Sequence, residues 1–230
     1  MTRSRQIPIQ FPCGWGGRRK GAGRKRVAAR RRVSHRTRPV LNPRRPVLIT
    51  VRLADGLARL RGRKVVAVLR RAFAHGCDKG VFRICHFSVQ GNHIHLVCEA
   101  VSAAALAMGI KAWKNRVTRR LNKLWGRTGT VWDDRYHLRL ITNLRQVRNT
   151  LVYVLQNARH HDEYLPQWAR GIDPYSSAYY FDGWRDEHFR DGIPPPAQDG
   201  GPPVAPPQTW FLATGWRRYG LIDLNETPAG

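Results

Sequence analysis

Val81-Phe-Arg-Ile-Cys-His-Phe-Ser-Val-Gln-Gly-Asn-His-Ile-His-Leu-Val-Cys-Glu99 is the stretch whose reading decides the fold. Val81 to Gln90 is rich in β-branched, aromatic and apolar residues, as a strand requires. Gly91-Asn92 is a two-residue turn signal, and His93 to Glu99 resumes a strand, so the stretch reads as an antiparallel hairpin. Strand side chains alternate between faces. Ile94, Leu96 and Cys98 therefore share an apolar face suited to packing on helices. His93 and His95 share the other face, with Glu99 further along it, and point to the side left open for function.

The elements around the hairpin complete a pattern. Val47 to Leu53 reads as a first strand, and Lys64 to His75 has apolar residues at 65, 68, 69, 72 and 73, the spacing of a helix face. Ser102 can cap a long helix running to about Trp125, which Gly126 to Gly129 breaks. Arg135 to Ile141 reads as a fourth strand, and Thr142 or Asn143 can cap a helix from about Leu144 to His161. The order β-α-β-β-α-β-α predicts an α+β, ferredoxin-like βαββαβ fold: an antiparallel sheet with two helices on one face, followed by a further, tyrosine-bearing helix. Beyond it lie an aromatic segment (166–190) expected to pack over the core, a proline-rich linker (191–208) and a short C-terminal element (209–230).

The chain has 230 residues and a formal charge of +26, with 42% apolar residues, enough for one ordinary domain plus tails. Residues 1–46 hold 15 basic and no acidic residues, residues 47–161 hold 21 basic and five acidic, and residues 162–230 hold five basic and ten acidic. The leader 1–46 is too polar to bury a core of its own and reads as a disordered basic DNA-binding arm. The excess charge on the arm and the folded part calls for a polyanionic partner, nucleic acid before an anionic membrane surface. No apolar run is long enough to span a bilayer and the basic N-terminus lacks a secretory apolar region, so a cytoplasmic, nucleoid-associated protein is expected. The four cysteines form no C-x-x-C pair, which removes support for a zinc ribbon and leaves reduced, packed thiols as the expectation.

Two groups of residues carry chemistry. The His93/His95 pair is a weak signal alone, because two imidazoles on one strand face hold a divalent ion only if a third ligand arrives. In the last helix Leu144, Val147, Leu151, Val154 and Leu155 form an apolar stripe, and Tyr153, Asn157 and His160 fall opposite it. An exposed tyrosine beside a solvated asparagine explains that pattern. So does a nucleophilic Tyr153 with Asn157, one turn on, as a neutral oxygen ligand. A phenol attacking a phosphodiester needs the phosphate charge neutralised, which Mg²⁺ or Mn²⁺ supplies, and the product is a covalent phosphotyrosine. No P-loop appears, so no nucleotide cofactor is implied.

Taken together, Phe87-Ser-Val-Gln-Gly-Asn-His-Ile-His-Leu96, Val131-Trp-Asp-Asp-Arg-Tyr-His137 and Tyr153-Val-Leu-Gln-Asn157 resemble the HUH single-strand nucleases, and within them the REP-associated tyrosine transposases. Arg119 to Leu124 and the leader piece Gly16 to Arg24 resemble the same group. The resemblance covers about 47–165. It implies a metal-dependent transposase that cleaves and rejoins single-stranded DNA at hairpin-bearing repeats, with Tyr153 as nucleophile and His93, His95 and Asn157 as metal ligands. Relatives often carry Asn-Pro where this chain has Asn157-Ala158, and the neighbouring His160 and His161 are open to roles as substitute ligand, phosphate contact or solvated helix end. Candidate DNA contacts are Arg116, Arg119, Arg120 and Lys123 on the long helix, Arg135, His137 and Arg139 on one strand face, and Arg159 and His160. Trp113, Trp125 and Trp132 can stack on bases, with core packing the default. A non-catalytic protein that binds DNA or RNA hairpins, and a basic ribosome-associated protein, are the competing readings. Whether the protein acts as monomer or homodimer stays open.

Overall fold

The hairpin is the spine of a four-stranded sheet. In the computed structural model, which describes residues 38–160, 172–193, 196 and 200–228, β1 (Val47–Arg52), α1 (Arg63–Ala74), β2 (Phe82–Val89), β3 (His93–Ala100), α2 (Ala103–Leu124) and β4 (His137–Leu140) follow in the expected order. The sheet runs β2-β3-β1-β4 with every neighbour antiparallel, the ferredoxin-like arrangement. The expected caps are made: Ser102 Oγ accepts the Ala105 N–H at 3.1 Å, and Asn143 Oδ1 accepts the Gln146 N–H at 2.9 Å to open α3 (Leu144–Leu155).

Alternation sorts the sheet into two cores. On one face Ile49, Val51, Phe87, Ile94 and Leu96 bury against Leu69 and Phe73 of α1 and Ile110, Trp113, Val117 and Leu121 of α2. Phe73 stacks on Phe87 at 4.1 Å. Trp113 and Trp132 belong to this core and Trp125 packs partly against it, so the three indoles are structural here rather than presented to solvent. Gly109 of α2 lets the Phe82 ring lie directly on the helix backbone: a β-carbon there would stand 2.3 Å from the ring.

The other face is not open. Leu48, Cys85 and Val97 are covered by the apolar stripe of α3 and by Phe181, Trp184 and Trp216 from the C-terminal third. An amphipathic helix must bury its stripe, and this sheet face is where α3 buries it. A β-bulge between Ile84 and His86 turns Cys85 and His86 both toward this side. The outer edge of β2 is covered as well, since Val89 N–H donates to Tyr175 O and Ala205 N–H to Ile84 O, both at 2.9 Å. Pairing in this way removes a free strand edge that could template aggregation.

The C-terminal third is held by buried charges. Arg61 pairs bidentately with Asp173 at 3.0 Å. Glu99, 1% exposed, accepts from Arg83 Nε, from the Gln208 and Thr209 N–H groups and from Thr209 Oγ1, which fixes the start of α5 (Trp210–Ala213). Glu99 thus shares the histidine face but is engaged elsewhere. Residues 200–208, within the stretch read as a linker, are tied to the sheet by these same bonds. Most of the basic leader, residues 1–37, lies outside the described residues. Its last residues pack on the domain: Leu41 is buried, and the Arg38 guanidinium sits 3.6 Å over the Tyr136 ring.

The last predicted helix is corrected at its end. It stops at Leu155; Gln156 leaves helical geometry (φ −115°, ψ 19°), and a short α4 (Asn157–His160) follows. The cause is long-range, because the Gln156 side-chain amide donates to Asp223 O at 2.7 Å and draws this turn onto the C-terminal segment. Among the described residues no helix is long and apolar enough to cross a membrane.

Candidate active site

Strand β3 and helix α3 meet at three side chains. His93 and His95 project from the α3 side of the sheet, and the antiparallel register sets Thr50 of β1 and Ser88 of β2 on either side of His95. Tyr153, half-buried on α3, faces the same point: its Oη lies 3.2 Å from His95 Nε2. The two imidazoles meet edge to face, with Nε2 to Nε2 at 3.0 Å.

Their outer nitrogens are fixed by partners. His93 Nδ1 is 2.8 Å from Asn92 Oδ1, an oxygen that only accepts, so Nδ1 carries the proton and Nε2 presents a lone pair. His95 Nδ1 bonds Thr50 Oγ1 at 3.0 Å. With a lone pair on His93 Nε2, the 3.0 Å approach is met by an N–H of His95 Nε2 donating to it, or by a cation taking both nitrogens. Asn92 and Thr50 thus orient the pair, and both were missed in the sequence. Asn92 was legible only as a turn residue, and Thr50 only as one polar residue in an apolar strand.

Asn157, open in the sequence to a solvated role or to metal ligation, is not solvated. It is 0% exposed, and among the described residues neither its Oδ1 nor its Nδ2 has a hydrogen-bond partner. An unpaired buried amide costs about 1–3 kcal/mol per group, a cost that a protein carries where a ligand or ion completes the bonding. Among the described residues no group of three or more His, Cys, Asp or Glu side chains is placed to hold a metal ion.

This arrangement can be set beside known proteins. Residues 58–157 match the family described as "Transposase IS200 like". That match spans 100 of the chain's 230 residues. Among solved structures the chain is similar to a REP-associated tyrosine transposase determined bound to a REP hairpin, at 17% identity over 74% of this chain and 94% of that one, with a TM-score of 0.50. The likeness is one of fold. It is also similar to a transposase candidate from Deinococcus radiodurans R1, at 13% identity over 52% of this chain and 93% of that one, with a TM-score of 0.37. No curated protein matches the chain.

The sheet separates the candidate DNA contacts into two surfaces. His137 and Arg139 are exposed on β4, level with Thr50 and Leu48, and so lie on the Tyr153 side of the sheet. Arg116, Arg119, Arg120 and Lys123 lie on α2, across the sheet from Tyr153. The Arg120 guanidinium is held below its ordinary value by partial burial and then by Arg116, Arg71 and Arg119, which marks a crowd of like charges. Arg135 is half-buried beside Tyr136. Arg159 donates to Leu224 O at 3.1 Å and so braces the C-terminal segment. The His160 side chain and all of His161 lie outside the described residues.

Other side chains that competed for a role are structural. Tyr136 is buried in the α1/α2 core as alternation predicted, and Cys77, Cys85 and Cys98 are buried free thiols, each pushed up by burial. Tyr164 lies outside the described residues. His86, on the roofed face, has its ring edge against Phe181 and its Nδ1 buried without a partner. Burial pushes its pKa down to about 4, opposed only by Asp182. Because the folded state binds this proton less readily than the unfolded chain, the neutral side chain is accommodated in full above about pH 6.5, and stability falls as the pH drops toward 4. The expected loss across that window is about 3 kcal/mol. Urea midpoints at pH 7 and pH 4 should show it in the wild type, and His86→Leu should remove most of that difference.

Proposed function

We propose that this protein is a transposase-type enzyme that cuts and rejoins single-stranded DNA at hairpin-bearing sites through a covalent bond to Tyr153. The observation that carries the reading is the Tyr153 hydroxyl 3.2 Å from His95 Nε2, within the residues that match the IS200-like transposase model. A tyrosine whose ring only partly packs on the core and whose hydroxyl is held against a converging histidine pair is placed to react. In the proposed step Tyr153 Oη forms a bond to the phosphorus as the bond to the departing deoxyribose oxygen breaks, so the phosphodiester is exchanged rather than hydrolysed. Rejoining is the reverse transfer to an incoming hydroxyl.

The donor set fits a divalent ion, Mg²⁺ or Mn²⁺. The two Nε2 atoms converge to 3.0 Å, close enough for one ion to take both. The buried Asn157 amide, unpartnered among the described residues, supplies a neutral oxygen of the kind such ions take. His93, His95 and Asn157 would hold the ion, which when bound supplies Lewis-acid neutralisation of the phosphate oxygens. His95 Nε2 lies within bonding distance of both the Tyr153 hydroxyl and His93 Nε2, and committing that nitrogen to an ion would free the phenol to turn to substrate. Thr50 and Asn92 keep both Nε2 atoms facing inward, the second-layer role that makes a histidine ligand effective.

Arg139 and the His137 imidazole are exposed on the Tyr153 side to contact the strand, and the α2 arginines offer phosphate contacts remote from it. The chain's +26 charge supports such a partner. The test is incubation with an end-labelled hairpin oligonucleotide bearing single-stranded tails, in Mn²⁺, followed by a denaturing gel. A slow-migrating, protease-sensitive labelled species is expected. Tight, salt-sensitive binding with no such species under any divalent ion would favour the binding-only reading.

A further inference from the structure

A cavity of about 430 Å³ opens beside Tyr153. One wall is a single stripe of α3, Gln146, Asn149, Thr150 and Tyr153, spaced three or four residues apart and so on one helix face. Leu48 of β1 and Arg139 of β4 form the opposite wall. Glu226 closes a third side. The volume falls in the range of roughly 300–1,000 Å³ in which small organic groups bind.

The chemistry of the lining selects among occupants. Glu226 faces the cavity, but its carboxylate is held bidentately by Arg148, at 2.6 and 2.8 Å, so it neither attracts a cation strongly nor welcomes a phosphate. The remaining polar groups are mostly neutral: two amides, the Thr150 and Thr227 hydroxyls and a phenol. The exposed Arg139 is the exception, and it suits a backbone phosphate at the cavity mouth. Gln146 Oε1 is occupied by the Thr142 N–H and hydroxyl at 2.8 and 3.0 Å. The Asn149 amide is exposed and, among the described residues, engaged by no partner.

We propose that this cavity receives one unpaired nucleobase of the strand held at Tyr153, and that Asn149 reads its edge. The inference rests on Tyr153 as the site of strand attachment: a nucleotide whose phosphate lies at Tyr153 Oη has its neighbour within reach of a cavity that Tyr153 itself lines. An asparagine amide pairs bidentately with the N6/N7 edge of adenine, accepting from one atom and donating to the other, so adenine is the base expected. Asn149 is therefore a specificity residue, one helical turn before the nucleophile and distinct from the metal-ligating set.

The test is a binding measurement made in a Tyr153→Phe background, which keeps the ring and removes the chemistry. Fluorescence anisotropy is read on hairpin oligonucleotides with single-stranded tails, each tail position being set in turn to A, G, C or T. One position is expected at which adenine binds about tenfold or more tightly than the other bases. Adding Asn149→Ala should reduce that preference to threefold or less, while affinity for a hairpin without tails stays unchanged. Absence of any adenine-preferring position, a preference for another base, or an adenine preference that survives Asn149→Ala would overturn the proposal. Because no cleavage is measured, failure here is separate from failure of Tyr153 as nucleophile, which shows only in the adduct.

Discussion

Tyr153→Phe is expected to bind a hairpin-bearing single strand as the wild type does and to form no covalent adduct with it. The substitution removes one oxygen. The ring, half-buried beside Val152 and Val154, keeps its packing and its edge-to-face contact with His95, whose centroid is 5.0 Å away. The lost hydrogen bond to His95 Nε2 is worth about 1 kcal/mol net, which shifts the melting temperature by only a few degrees. The loss in adduct yield should be far larger, at least ~10³-fold, because no other oxygen replaces a missing nucleophile at the same point. Denaturing gels for the adduct and anisotropy for binding, run on the same preparation, separate the two effects. An adduct at wild-type yield would remove Tyr153 from the mechanism.

His93→Ala and His95→Ala are expected to abolish Mn²⁺ binding and, with it, adduct formation. Each variant takes away one of two nitrogens 3.0 Å apart, and a site reduced to one imidazole and one amide lacks the donors to strip water from a divalent ion. Isothermal titration with Mn²⁺ should show affinity falling at least ~100-fold in either variant. His95→Ala carries the greater cost to stability, since His95 is 5% exposed and its loss leaves Thr50 Oγ1 without this bond. His93 is more accessible, so His93→Ala reads the metal effect with less change to the fold. Thermal unfolding measured alongside the titration keeps the two apart. Unchanged Mn²⁺ affinity in both variants would place the ion elsewhere.

Much of this architecture is legible in the sequence because it rests on short-range rules. Alternation in Val81–Glu99 separates Ile94 and Leu96 from His93 and His95, and the structure keeps that division across the whole sheet. Ser102 and Asn143 cap the helices they precede. Tyr153 stands out because it falls off the apolar stripe of its own helix, and it does meet His95. What escaped the sequence is long-range. The aromatic segment 166–190 was expected to pack over the core, but nothing local says that its Phe181 and Trp184 join α3 and Trp216 over the histidine face. The break at Gln156 comes from a bond to Asp223 O, 67 positions away. Thr50 reaches His95 across 45 positions, through a strand pairing that local pattern cannot register. Helical spacing left Asn157 open to a solvated role or to metal ligation, and its burial, just past the break at Gln156, lay outside what that spacing could register. The cavity beside Tyr153 is assembled from β1, β4, α3 and the C-terminal segment, so no single stretch of sequence announces it.

The most direct measurement is peptide mapping of the trapped adduct. Wild-type protein incubated with a hairpin oligonucleotide and Mn²⁺ would be digested with nuclease and protease, and the peptides read by tandem mass spectrometry. The expected result is a single modified peptide carrying a residual nucleotide phosphate on Tyr153. Modification of another tyrosine, or a hairpin cut with no peptide modified, would contradict the assignment of Tyr153 as the residue that holds the strand.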